Sequence, residues 1–179
     1  MRHAGFICRG SDGAEVRRLL DTGVFGLINV PYTLLNPSAG QSVPPGLAVE
    51  RDYGDVISAA QAAGVGAAIY SPLAGGALTD DAMTGATRHP LARPDRASAE
   101  KTSRQREAAV RLRFLCEATG LSLAQAALRF ILMHAGVTTV LGGFSSVEQM
   151  EEIVAAADAP PFEAALLARL EEVWGTNFA

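Results

Sequence analysis

Lysine is almost absent from this 179-residue chain: Lys101 is the only one, and the other basic residues are arginines. That removes most routes to a lysine nucleophile or a lysine-tuned acid. Cysteine is equally sparse. Cys8 and Cys116 lie far apart without metal-type spacing, which argues against a disulfide framework or a zinc site and for a reduced, cytoplasmic protein. No apolar run approaches the roughly 18 residues of a membrane span. No basic stretch followed by an apolar core opens the chain, so no secretory leader is expected. The net charge of −4 gives no reason to expect nucleic acid or an anionic membrane as partner.

What is present describes a folded domain. Half of the residues (49%) are hydrophobic and 19% are charged, in a chain long enough to bury a core as one domain over 1–179. Strand and helix signals alternate. Strands are expected at Ala4–Cys8, Leu27–Val30, Gly66–Tyr70 and Val137–Leu141. Asp12 with Glu15, Ser122 with Gln125 and Ser146 with Gln149 each read as a capping box opening a helix. Further helices are expected at Tyr53–Ala63, Gln105–Ala118 and Phe162–Trp174. Pro90, Pro94, arginines and serines interrupt the periodicity over 79–104, which reads as a long mobile surface loop. Repeated βα units imply parallel strands with helical crossovers. Four such units are half of a (β/α)8 barrel, and a small open α/β sheet explains the pattern equally well.

Two segments carry candidate chemistry. The apolar run Gly66–Tyr70 breaks into Ser71-Pro72-Leu73-Ala74-Gly75-Gly76, the way a strand ends in a ligand-facing loop. Glycines there let backbone approach an anion, although Pro72 with Gly75 also fits a plain turn. The second segment is Leu141-Gly142-Gly143-Phe144-Ser145-Ser146-Val147-Glu148-Gln149. A strand ends in two glycines and a helix begins at a serine, which suits a phosphate as well as an ordinary cap. His3, His89, His134, Trp174 and the series Arg88, Arg93, Arg96, Arg104 and Arg106 have no motif around them and read as structural or solvated.

These segments carry a resemblance to a known family. Tyr70-Ser-Pro-Leu-Ala-Gly-Gly76, followed by Leu78-Thr79, is similar to the Y-S-P-L-x-x-G-x-L-T pattern of aldo-keto reductases. Ser122-Leu-Ala-Gln-Ala-Ala-Leu-Arg-Phe130 resembles their S-x-x-Q-x-A-L-x-W/F helix, and Val137 to Glu152 their strand 8 with its helix. Val30 to Asn36 and Arg2 to Phe6 resemble stretches at their strands 6 and 5. The resemblance runs from strand 5 to the C-terminal helix. It implies a (βα)4 half of a (β/α)8 TIM-type barrel with an extra C-terminal helix.

The resemblance further implies NADP(H) as cofactor and reduction of a carbonyl to an alcohol in a complete enzyme. Tyr70 would stack on the nicotinamide, with Asn29 near its amide. Ser71, Leu73 and Gly75 would line the pyrophosphate. Ser145, Ser146, Gln149 and Glu152 would lie near the 2′-phosphate and adenine, with Gly143 and Phe144 in the same loop. Five positions depart from the family pattern. Ile7-Cys8 replace its Ser-Asn, Gly143 a lysine of some members, Gln149 a common arginine, and Ile153 the asparagine that often follows the glutamate. The family's catalytic Asp, Tyr, Lys and His belong to early strands, so no catalytic residue is assigned here. The alternative is a non-catalytic half barrel that senses a nucleotide, self-associates, or pairs with an N-terminal half. A phosphate-binding enzyme using Asp80-Asp81 is a third reading.

Overall fold

In the computed structural model, residues 3–84 and 96–179 are described. They divide into two compact units: 3–43, 48–72 and 131–143 in the first, and 44–47, 73–84, 96–130 and 144–179 in the second.

The first unit is built on one parallel sheet. Strands β1 (Ala4–Ile7), β2 (Phe25–Pro31), β3 (Gly66–Tyr70) and β4 (Val137–Leu141) lie side by side in chain order. Helix α1 (Gly13–Leu20) links the first pair, and a long loop with α2 (Val56–Ala62) links the second. Alternation sorts the side chains of β2: Ile28 and Val30 are fully buried, whereas Leu27 on the opposite face is exposed. Val16 of α1 and Ile57 and Ala60 of α2 are fully buried, as is Ile69 of β3. The other sheet face leaves Ile7 and Leu141 about half exposed, at 52% and 50%.

The loop between Pro31 and α2 is pinned by polar contacts. The Ser38 hydroxyl, fully buried, donates to Asn36 Oδ1 (2.7 Å) and accepts from the Tyr53 N–H (3.0 Å). His134 Nδ1 accepts from the Gly136 N–H at 3.0 Å, which makes its Nε2 the donor toward the Gly40 carbonyl at 2.9 Å. Gly40 has no alternative at this contact, because a Cβ there would lie 2.8 Å from both the His134 and Tyr32 rings.

The second unit is helical. It holds a 3₁₀ turn at Ala74–Gly76, α3 (Asp80–Thr84), α4 (Arg96–Arg111), α5 (Arg113–Thr119), most of α6 (Leu123–Leu132), α7 (Val147–Ala155) and α8 (Ala164–Gly175). Leu78, Leu112, Leu115, Leu123 and Leu170 are fully buried in it, and Phe130 meets Trp174 edge to face at 5.8 Å. Residues 44–47 join this unit through Gly46, whose Cβ position would lie 2.1 Å from the Gly175 carbonyl oxygen.

Three expectations are corrected. The segment 79–104 is helical at both described ends, in α3 and from Arg96 in α4; 85–95, with His89, Arg88 and Arg93, lie outside the described residues. Arginine, glutamate, lysine and alanine are adequate helix formers without an apolar stripe. The single helix expected at Gln105–Ala118 is two. Leu112 takes φ −91° and ψ 0°, and its N–H bonds Ala109 three residues back, so one tight turn divides the axis. Helix α2 begins at Val56 rather than Tyr53, since Gly54 and Asp55 both have positive φ (64° and 54°).

Candidate functional site

Parallel strands put their carboxyl ends on one side, and the first unit has a cleft there of about 450 Å³. It is lined by Ile7, Arg9, Asn29, Tyr70, Ser71 and Leu141. Register explains the grouping. Ile7 pairs with Asn29, Asn29 with Ala68, Pro31 with Tyr70, and Tyr70 with Leu141, so these residues occupy neighbouring rows on one face. Asn29 Oδ1 is buried and accepts no hydrogen bond. A buried acceptor without a donor is costly to the fold. Ser71 follows directly with φ +50°, a left-handed conformation that a serine adopts only under constraint.

The electrostatics of the cleft are one-sided. Arg9 is its only charged lining residue. The Tyr70 phenol is raised from its ordinary value, first by burial and then by the nearby Cys8, while Arg9 and Arg51 pull it back. Burial pushes the Cys8 thiol up to about 11, which keeps it protonated and unreactive. Arg51 is held by a 2.6 Å bond from Nη1 to the Gly10 carbonyl.

The second unit holds the remaining candidates. After Ser71 and Pro72, the chain folds into the 3₁₀ turn, where the Leu73 carbonyl accepts from the N–H groups of Gly76 (2.9 Å) and Leu78 (3.2 Å). Ala74, Gly75 and Gly76 all have positive φ, and Gly75 is exposed with open space around its Cα. At the start of α7, Ser146 Oγ accepts from the Gln149 N–H (3.3 Å), the capping bond expected of the pair. The Gln149 side chain does something else. Its Oε1 accepts from both the N–H (2.8 Å) and the hydroxyl (3.0 Å) of Ser145. Phe144 is exposed at 54%, and a Cβ on Gly143 would meet nothing within 4 Å.

Glu152 is tied to the start of α6. The Ser122 hydroxyl donates to Glu152 Oε1 at 2.5 Å, and Gln125 Nε2 donates to the Glu152 carbonyl at 3.1 Å. Helix α7 has no buried residue of its own, so these polar bonds do the holding that an apolar face usually does.

The remaining candidates have structural surroundings. Asp80 Oδ1 accepts from the Leu123 N–H (3.1 Å), capping α6. Lys101 and Arg104 lie on the exposed side of α4, and Trp174 is buried. Arg129 Nε donates to the Pro160 carbonyl (3.1 Å). Among the described residues, no group of three or more His, Cys, Asp or Glu could hold a metal, and no single helix is long and apolar enough to cross a membrane. Sequence reasoning missed Arg9. Arg9 follows the strand-end pair Ile7-Cys8, a position that signals the site mouth once β1 is placed.

Comparison with solved structures first defines the class of fold. The chain resembles the aldo-keto reductase AKR11C1 from Bacillus halodurans in its holo form (TM-score 0.64) and its apo form (0.60), at 19% identity in both. The match covers 96% of this chain and 50% of that one, so the chain spans about half the length of the solved structures it matches. That agrees with four parallel βα units of a TIM-type barrel. The family model for the aldo/keto reductases matches residues 38–175, and the chain belongs to that family. No curated protein matches it.

Proposed function

We propose that this chain is the nucleotide-binding, C-terminal half of an aldo-keto reductase-like oxidoreductase that reduces a carbonyl to an alcohol. The observation that carries the reading is Asn29 Oδ1, a buried acceptor without a donor, in the same strand-end cleft as Tyr70 and Ser71. A nicotinamide carboxamide offers N–H donors of the kind that atom lacks, and its ring offers a face to the Tyr70 phenol. In this reading the family resemblance assigns Ser71, Leu73 and Gly75 to the pyrophosphate, and Gly143, Phe144, Ser145, Ser146, Gln149 and Glu152 to the adenosine end. When bound, the reduced nicotinamide supplies a hydride. The chain's own residues orient it and exclude water: Ile7 and Leu141 flank the cleft with apolar surface, and Arg9 favours anionic groups. The proton donor is assigned to a second half barrel that covers the exposed sheet face.

The test is calorimetric titration of the full chain with nicotinamide dinucleotides. Saturable micromolar binding, weakened at least about tenfold by Tyr70→Ala, supports the reading. Absence of binding at millimolar nucleotide refutes it.

A second reading has its own observation. Val147, Met150 and Val154 of α7 are exposed at 61%, 37% and 64%, and Ile7 and Leu141 add exposed apolar surface on the sheet. Such surface is what an interaction protein presents to a partner or a second copy. Sedimentation of the chain separates the two: stable self-association without nucleotide affinity favours the interaction protein.

A further inference from the structure

We infer that two copies of this chain close into one eight-stranded barrel, with β4 of each copy pairing with β1 of the other about a two-fold axis. The inference concerns what covers the sheet and stands apart from the nucleotide reading. The four strands form an open parallel sheet with β1 and β4 as its borders. Parallel sheets are found with both faces covered, and an unpaired border offers a row of N–H and C=O groups to another strand. Helix α2 packs on β3 and α1 on α2, which covers one face. The opposite face carries the row Ile7, Asn29, Ala68 and Thr139, set by register. Ile7, Leu27 and Leu141 stand exposed there.

Three features make a second copy the occupant. The first is strand direction. Because β1 and β4 run parallel, a two-fold axis along the strands sets each β4 beside the other copy's β1, again parallel, and leaves no border. The second is charge. None of the four strands contains Asp, Glu, Lys, Arg or His. Charged side chains and proline are the usual guards of a sheet edge, and neither β1 nor β4 has one. A two-fold axis sets a surface against its own copy, so a charged sheet would repel itself and this one does not. The third is stagger. Register slips between Ala4 and Gly5 and again between Ala67 and Ala68, once in each outer pair of strands. Closing a sheet into a barrel requires such stagger, and about eight strands give an interior that side chains fill.

Closure also completes the cleft. Ile7 and Leu141 line it and end the two border strands, so each seam of the barrel adds a wall there from the other copy.

The first experiment is light scattering and sedimentation of the full chain at micromolar concentration. A mass twice the 18.7 kDa of one chain is expected. Thr139 lies exposed on the border strand β4. Thr139→Lys places an unpaired charge in the closed interior and should weaken dimerisation at least about tenfold, while Thr139→Val should leave it intact. Circular dichroism of both variants checks that each remains folded. The second experiment reads the seam itself. Ile7→Cys and Leu141→Cys are made separately with Cys8 and Cys116 replaced by alanine, then mixed and oxidised. A disulfide between copies is expected in the mixture and in neither protein alone. A folded monomer at every concentration overturns the inference. So does a dimer indifferent to Thr139→Lys, or one that cross-links as readily within a single variant as in the mixture, which marks stacking of sheet faces instead of pairing of borders.

Discussion

Replacing Asn29 with leucine should stabilise the free protein and weaken its hold on nucleotide at the same time. The side chain sits on β2 with Oδ1 buried and without a donor. Leaving a polar atom desolvated and unpaired costs the fold about 1–3 kcal/mol. Leucine has nearly the same shape and removes that atom. Allowing for imperfect packing, a net gain of about 1 kcal/mol is expected, which raises the melting midpoint of a chain this size by about 2–4 °C. A neutral hydrogen bond to a carboxamide contributes about 0.5–1.5 kcal/mol, so the variant should lose roughly three- to tenfold in dinucleotide affinity. Calorimetric scanning and titration on the same preparation read both effects. Opposite signs mark a group kept for a ligand at the expense of the fold. A lower melting midpoint with unchanged affinity would refute the reasoning and make Asn29 an ordinary part of the sheet.

Gly46→Ala should cost about 2–5 kcal/mol, combining a positive φ of 91° with a Cβ placed 2.1 Å from the Gly175 carbonyl; an unchanged urea midpoint would contradict this. Ser122→Ala removes a helix cap and the donor to Glu152 Oε1, and should destabilise by about 1–2 kcal/mol. Its amide hydrogen exchange should quicken most in α7, and uniform exchange across the chain would count against the latch. Alkaline pH should weaken the fold through Cys8, whose thiol rises from 9.0 in the open chain to about 11 in the folded one. A group raised in this way stabilises fully below the lower value and loses that contribution as pH climbs through the upper. Urea midpoints should therefore fall between pH 9 and 11 by the equivalent of about 2–3 kcal/mol, and Cys8→Ala should lack that share.

Periodicity and punctuation made much of this fold readable. Strands β3 and β4 lie where their apolar runs place them, and Asp12 and Ser146 each accept the capping bond their spacing implies. These are local effects, settled within a few residues. The division at Leu112 was not readable, because no glycine or proline marks it and the turn is fixed by burial of Leu112 and Leu115. Helix in the polar segment from Arg96 was missed because pattern reading looks for an apolar face. At the candidate site, the strand-end position of Asn29, Tyr70 and Ser71 was visible in advance, but their sharing of one cleft depends on register between strands far apart in the chain. Gln149 shows the limit most clearly. Its spacing from Ser146 announces a reciprocal cap, yet its side chain reaches Ser145 instead.

The sheet's order has a consequence for how such a protein can be assembled. Each strand lies beside the one that precedes it in the chain, from β1 through β4. Adding a βα segment before the first strand or after the last therefore lengthens the sheet at a free border and disturbs no pairing already made. Cutting there removes one ladder and leaves the rest whole. An architecture with that property can grow by tandem duplication, or be divided between two polypeptides and rejoined, without any segment having to thread past another.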